Sequence, residues 1–196
     1  MSRRADYQRA ASAAYCVLAK LDVDRFPVRP MDILRKCRHT KLMTFSEASD
    51  ALQIDEDVLQ RMCADADAMT LRCTEGEENR YIVCYRAQGN PTRMNFTLAH
   101  ELGHIILRHT ETTKAEEEEA DCFAGHLLCP DFAVEMTGDA EVLARLCYVS
   151  KSAAETARKR KILCNEYHVP EKMKRYVERF IGNGARHLLL VANDCE

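Results

Sequence analysis

The sequence predicts an α+β fold in which helices predominate and pack against a small antiparallel sheet. Long segments carry apolar residues at the three- and four-residue spacing of a helix, and two short strand-like segments flank a polar turn. Hydrophobic residues make up 46% of the 196 residues and charged residues 30%, as is ordinary for a globular protein. A chain of this length can bury a core without disulfide bridges.

The N-terminal half alternates short helices and strands. An Ala-rich segment with helical spacing predicts the first helix, and the prolines that follow it break the chain. Three helices are therefore predicted before the turn region: Ala5–Lys20, Met31–Arg38 and Ile54–Ala64. Strands are predicted at Lys41–Phe45 and on either side of the polar turn, at Met69–Cys73 and Tyr81–Tyr85.

The C-terminal half is predicted to be almost wholly helical. Pro91 suits the first turn of a helix, and Pro130 ends another. The predicted helices are Pro91–His109, Lys114–Cys129, Ala140–Tyr148, Ser150–Cys164 and Pro170–Ile181. A final strand is predicted at His187–Val191.

Composition and cysteine placement exclude several classes of protein. The net charge of −3 offers no positive field for nucleic acid, and the apolar runs are too short to cross a membrane. No apolar segment follows Met1–Arg4 as in a secretory signal, so we expect a reducing cytoplasm. Most of the ten cysteines lie among apolar residues, never as a C-x-x-C pair, and are expected to be small buried hydrophobes, whereas Cys73 and Cys195 are the expected exposed thiols.

The motif His100-Glu101-x-x-His104 lies within the helix predicted over Pro91–His109. Residues four apart share one face of a helix, so the two imidazoles can bind one tetrahedral zinc ion. Glu101 beside them is placed to act as a general base on water. Because the flanking residues leave almost no polar face, a metal is favoured over two satisfied core histidines. His109 is expected about 180° from His100 and out of reach of the same ion.

A third ligand is expected from the run of four glutamates in the helix predicted over Lys114–Cys129. At 100° per residue, Glu117 faces the same side as the apolar stripe and is the ligand that helical geometry selects. Asp121, one turn later, is placed to accept a hydrogen bond from a ligating histidine. The remaining polar residues of this helix are expected to be solvated: Glu116, Glu118, Glu119 and His126.

The segment Asn95–His104, followed by the pattern Glu117-x-x-Ala120-Asp121-x-Phe123-Ala124-x-x-Leu127-Leu128-x-Pro130, resembles the ImmA/IrrE family of metallopeptidases, which are gluzincin-like. The resemblance extends more weakly over about residues 5–165. It implies zinc ligands at His100, His104 and Glu117, and a general base at Glu101. The chain departs from the family at Cys129, where many members have methionine, and it shows no counterpart of the helix-turn-helix domain that many members carry.

The resemblance also implies a function and a domain organisation. Residues 1–165 would form the zinc metallopeptidase domain, and residues 166–196 a helix and strand packed on it. Family members cut a helix-turn-helix transcriptional repressor, often encoded beside them in a mobile element or stress-response operon, so the expected partner is such a repressor, without direct contact to nucleic acid or membrane. One Zn²⁺ is expected per chain, although nitrogen and oxygen ligands also accept Mn²⁺.

Two parts of the substrate site are left open by the sequence. The segment Tyr81–Arg86, which includes Val83 and Tyr85, would bind an extended substrate if it were a sheet edge, but it is equally well an ordinary strand. An oxyanion-stabilising side chain is also expected. The unranked candidates are Tyr81, Tyr85, Arg93, His126 and Tyr148.

Two alternatives to a peptidase remain. The chain could be a non-catalytic metal-binding protein that sequesters its repressor, although an intact Glu101 speaks against this. Alternatively, the segment Leu143–Ile162, with the basic run Arg158–Lys161, could form a DNA-binding helix-turn-helix. The short basic run and the acidic chain favour a solvated helix instead.

Overall fold

The computed structural model describes residues 3–63, 66–75, 78–160 and 171–181. Its helices are α1 (Tyr7–Lys20), α2 (Pro30–Lys36), α3 (Phe45–Leu52), α4 (Glu56–Met62), α5 (Pro91–Leu107), α6 (Lys114–Leu128), α7 (Asp131–Thr137), α8 (Ala140–Cys147) and α9 (Lys151–Lys159). A further helix covers residues 171–181. The strands are β1 (Thr40–Thr44), β2 (Ala68–Glu75) and β3 (Glu78–Tyr85). The predicted mostly helical α+β fold is confirmed.

The three longest helices begin at side chains that cap their free backbone N–H groups. Asp6 accepts from Arg9 at the start of α1, and Asn90 accepts from Thr92 and Arg93 at the start of α5. At α6, Thr113 and Glu116 form a reciprocal capping box. Local capping residues therefore determine where α5 and α6 begin, and these two helices carry the candidate site residues.

The sheet has the order β1-β3-β2. β2 and β3 form the predicted antiparallel hairpin, but β1 pairs parallel with β3, so the sheet is mixed rather than wholly antiparallel. A parallel partner needs a long connection, and the chain between β1 and β3 provides it with α3, α4 and β2. Of the two alternatives left open for the segment Tyr81–Arg86, the central position of β3 excludes a sheet edge and supports an ordinary strand.

Helices α1, α5 and α6 pack on one another and enclose the main core. At Gly103, α5 lies close against α6: an added Cβ would be 3.1 Å from Phe123 Cδ1 and 3.3 Å from the Ala120 backbone. Small residues of α1 are also wholly buried, including Ala10 and Ala14. Met173 and Val177 of the helix over residues 171–181 belong to this same core. A smaller cluster around Phe45 and Leu59 contacts the sheet.

Two short helices, α3 and α7, were not predicted. The capping box Thr44/Glu47 starts α3 directly after β1, and α7 follows Pro130. Both span only seven or eight residues, too few for a clear apolar period. The strand predicted at His187–Val191 lies outside the described residues.

The eight described cysteines are free thiols. Four are buried as predicted: Cys63, Cys84, Cys129 and Cys147. Cys16 contradicts its prediction, because it lies on the exposed side of α1, while Cys73 is exposed as expected.

Candidate metal centre

Helices α5 and α6 and strand β2 border a cleft of about 650 Å³. His100, Glu101 and His104 reach it from α5, and Glu117 and Asp121 reach it from α6. Because Gly103 allows the two helices to approach closely, side chains from both can meet over the same point. The cleft thus contains the five residues that the sequence analysis selected on these helices.

His100, His104 and Glu117 offer one ligand atom each within 4.8 Å of one another. The two Nε2 atoms are 2.9 Å apart. Glu117 lies 3.3 Å from His100 Nε2 and 3.6 Å from His104 Nε2, through its two carboxylate oxygens. The histidine side chains are 16% exposed and that of Glu117 is 45% exposed, so the cluster is open to solvent on the glutamate side.

The hydrogen bonds around His100 leave a lone pair that faces the cluster. Asp121 Oδ1 lies 2.9 Å from His100 Nδ1, and a carboxylate only accepts, so Nδ1 carries the hydrogen and Nε2 of the neutral ring is free. Two imidazole nitrogens and a carboxylate that converge on one point form a donor set suited to zinc. The residues present therefore fit a metal of the kind that the motif implies.

The pKa values of the two histidines move in opposite directions. Burial lowers the pKa of His100, but the hydrogen bond and charge of Asp121 and the charges of Glu101 and Glu117 together raise it, and the pKa lies above its ordinary value. Burial, together with His100 and His109, lowers the pKa of His104 to about 4. At neutral pH His104 is therefore the neutral imidazole that metal binding requires.

Glu101 lies beside the cluster and is 8% exposed. Burial raises the pKa of its carboxyl above the ordinary value, and Thr70 on β2 and the neighbouring His100 oppose that shift. A carboxylate whose pKa is raised takes up a proton more readily near neutral pH, which is the property of a general base that must also act as an acid. The sequence alone does not indicate Thr70, because its position beside Glu101 depends on how β2 packs against α5.

The four glutamates at the start of α6 each have a different environment. Glu117 reaches the cluster, and Glu118 accepts from the Tyr7 hydroxyl at 2.7 Å on the exposed side. Glu116 and Glu119 contradict the prediction that they are solvated, since they are 6% and 0% exposed. The Glu116 carboxylate accepts from the backbone N–H and the hydroxyl of Thr113 in the capping box. Glu119 faces α1, a contact between helices that a helical wheel of α6 alone does not show.

His109 lies behind His104. The helical geometry predicted it on the opposite side of the helix from His100, and that prediction is wrong. The helix ends at Leu107, and Arg108 adopts the left-handed conformation with φ of 56°. The chain then turns back, so that His109 Nδ1 comes within 2.9 Å of His104 Nδ1. The polar run that follows His109 was the available signal that the helix ends early.

The three residues proposed for substrate binding are not grouped at the cleft. Tyr81 lines it, but Val83 is wholly buried in the central strand, and Tyr85 does not line it. Of the oxyanion candidates, Tyr81 alone borders the cleft. The others lie elsewhere: Arg93 pairs with Asp67 at 2.8 Å, and Tyr148 is 46% exposed after α8.

His126 contradicts the prediction of a solvated residue, because it is 2% exposed. Its Nδ1 donates to the Cys122 carbonyl at 2.8 Å, as the i−4 spacing allows. Nearby, the Arg160 guanidinium binds Asp131 at 2.8 Å and also contacts the Cys129 carbonyl. Arg160 is thereby withdrawn from the basic run that the helix-turn-helix alternative would need for phosphate contacts.

Comparison with known families decides the class of this site. Residues 57–158, just over half of the chain, match the peptidase M78 family, described as the IrrE N-terminal-like domain. The chain belongs to the ImmA/IrrE family of metallopeptidases. None of the curated proteins compared with the chain matches it.

The match to the ImmA/IrrE family includes β2, β3, α5 and α6, and hence every residue of the cluster. It also includes the hydrogen-bonding partners His109 and Glu119. No helix in the described part of this ImmA/IrrE family member is long and apolar enough to cross a bilayer.

Proposed function

We propose that the chain is a zinc-dependent endopeptidase that cleaves a helix-turn-helix transcriptional repressor. The observation that carries this proposal is the convergence of His100, His104 and Glu117 within 4.8 Å of one another beside Glu101. A metallopeptidase family and this donor set together support one Zn²⁺ per chain, with Mn²⁺ as an ion that the same ligands accept.

The protein side chains divide the work of the site. His100, His104 and Glu117 would hold the metal, and Asp121 would orient His100 through its Nδ1 hydrogen. When bound, the metal supplies Lewis-acid chemistry, which polarises the scissile carbonyl and lowers the pKa of water. Glu101 would take a proton from the attacking water and deliver it to the departing amine.

An extended substrate would bind along β2 and not along the segment Tyr81–Arg86, most of which belongs to the central strand β3. β2 is an edge strand of the sheet, and Ala68, Met69, Thr70 and Arg72 of this strand line the cleft. A peptide that added to this edge would gain main-chain hydrogen bonds close to Glu101 and the metal ligands. Tyr81, on the neighbouring strand, is the remaining oxyanion candidate at the cleft.

The repressor substrate comes from the family resemblance, and a cytoplasmic site of action from the placement of the cysteines among apolar residues. A reducing compartment agrees with the eight free thiols of the described residues. In the non-catalytic alternative the chain binds the repressor without cutting it. It differs from the proposal only in that the bound repressor is not cleaved, which can be measured.

The proposal is tested with the full-length chain loaded with zinc and incubated with the helix-turn-helix repressors encoded near its gene. We expect cleavage that a chelator abolishes and zinc restores. Glu101→Gln should retain zinc and lose at least about a hundredfold in rate, because general-base catalysis contributes roughly 10²–10⁴-fold. Metal analysis of the same samples reports retention. Binding of a repressor without cleavage would support sequestration, and cleavage by Glu101→Gln at the wild-type rate would refute the role of Glu101.

A further inference from the structure

A hydrogen-bonded chain of buried side chains lies behind the candidate ligand His104. His104 Nδ1 is 2.9 Å from His109 Nδ1, and His109 Nε2 is 3.0 Å from Glu119 Oε2. The side chains of His109 and Glu119 are 2% and 0% exposed. A buried carboxylate and imidazole without partners would be costly, so their contact with each other and with the ligand is a built arrangement.

Glu119 is held as an ionised acceptor by the N-terminal segment of the chain. Arg3 Nη2 donates to Glu119 Oε1 at 2.5 Å, and the Asp6 backbone N–H donates to the same oxygen at 2.8 Å. Arg9 lies 3.4 Å from the other oxygen. Since a carboxylate in such surroundings only accepts, the hydrogen between Glu119 and His109 resides on His109 Nε2.

The hydrogen on His109 Nε2 determines where the hydrogen between His109 and His104 lies. In a neutral His109 that carries its hydrogen on Nε2, the Nδ1 atom accepts, so His104 must donate from its own Nδ1. His104 Nε2 then has a lone pair, directed at the point that His100 Nε2 also faces 2.9 Å away. The reverse polarity would place a hydrogen on His104 Nε2 and block a metal ion.

We propose that His109 and Glu119 are positioning residues that hold His104 in the tautomer and orientation required for metal binding. This inference rests on the metal site of the proposed function and extends it to two residues that do not touch the metal. Partners of this kind orient ligating histidines, and their removal costs about 10–100-fold in metal affinity.

The two histidine ligands would then be oriented by partners of different kinds. Asp121, which faces His100, has a side chain 61% exposed, so water can replace it when it is removed. His109 and Glu119 are closed to solvent, and a lost partner there leaves a buried donor unsatisfied. The loss of metal affinity should therefore be larger at His109 than at Asp121.

The experiment measures zinc affinity of the full-length chain by competition with a chromophoric chelator, independently of cleavage. His109→Phe keeps an aromatic ring against His104 but removes the acceptor, and we expect about a 10–100-fold loss of affinity. His109→Asn keeps a carbonyl acceptor near the position of Nδ1 and should recover part of it. Asp121→Ala, which likewise removes the acceptor, is the matched comparison and should lose less than His109→Phe.

A second measurement uses the wild-type chain and does not depend on any variant folding. Long-range ¹H–¹⁵N spectra of the zinc-loaded protein report which ring nitrogen of each histidine carries hydrogen. We expect hydrogen on His104 Nδ1 and on His109 Nε2. Hydrogen on His109 Nδ1, or a folded His109→Phe chain that binds zinc as tightly as wild type, would overturn the inference. A wild-type chain that binds no zinc would instead refute the proposed function itself.

Discussion

At the scale of single residues, neighbouring identical side chains acquire unrelated roles because the helix turns 100° at each step. In the run Glu116–Glu119, one carboxylate caps α6, one reaches the metal ligands, one accepts from Tyr7 in solvent and one is buried against α1. Charge alone does not distinguish them. Their partners do: Glu116 is paired with Thr113, Glu117 with the α5 histidines, and Glu118 and Glu119 with the N-terminal segment.

Glu117 and Glu118 form a matched pair for a test of ligand identity. We expect Glu117→Ala to lose more than about 100-fold in zinc affinity, since loss of a ligand should exceed the cost of losing an orienting partner. Glu118→Ala removes the same carboxylate from the adjacent, solvent-facing position and should bind zinc like the wild type. Metal analysis after gel filtration measures both, and full zinc retention by Glu117→Ala would exclude it as a ligand.

At the scale of secondary-structure elements, the site depends on how closely α5 and α6 approach. Gly103, one residue before His104, lies against Phe123 and the backbone of Ala120. Ala120 is in turn about one helical turn from Glu117 along α6. A helix interior gains nothing from glycine as such, because glycine is about 1 kcal/mol worse there than alanine. The close approach is therefore the physical reason for a glycine at this position.

Gly103→Ala should lower the free energy of unfolding and weaken zinc binding. An added methyl group in a packed interface costs about 1–3 kcal/mol, more than the roughly 1 kcal/mol gained in helix propensity. Gly125→Ala is the control, because its Cβ would meet only Arg160 Nη1, at 3.4 Å, an ordinary van der Waals distance, and it should be neutral or stabilising. Urea denaturation compares the two. Equal stabilisation by both substitutions would contradict the packing account.

At the scale of the whole molecule, the site connects regions that are distant in the sequence. β2 supplies Thr70 beside Glu101, α1 and the residues before it contact Glu119, and α5 and α6 supply the candidate ligands. A metal bound between α5 and α6 would therefore favour the folded state, because the unfolded chain does not hold these ligands together.

Zinc should raise the melting temperature of the metal-free chain. At a free zinc concentration of 100 times Kd, binding stabilises the fold by about 2.7 kcal/mol, which corresponds to roughly 5–10 °C for a chain of this size. Magnesium, which prefers oxygen ligands in octahedral geometry, should have little effect. Scanning calorimetry of the chelator-treated chain measures the shift, and an unchanged melting temperature with zinc would contradict a shared metal site on α5 and α6.

The sequence by itself determined the helices that carry the site and the cluster His100, His104 and Glu117 as candidate ligands, because helical periodicity and capping are local properties that a short stretch of chain expresses alone. Only the tertiary structure decided that β1 is parallel to β3, and that β3 is central while β2 lies at an edge of the described sheet, since pairing joins segments far apart in the sequence. The same holds for His109 and Glu119. Their burial depends on the early end of α5 and on the packing of α1 against α6, and neither is expressed in the residues of a single helix.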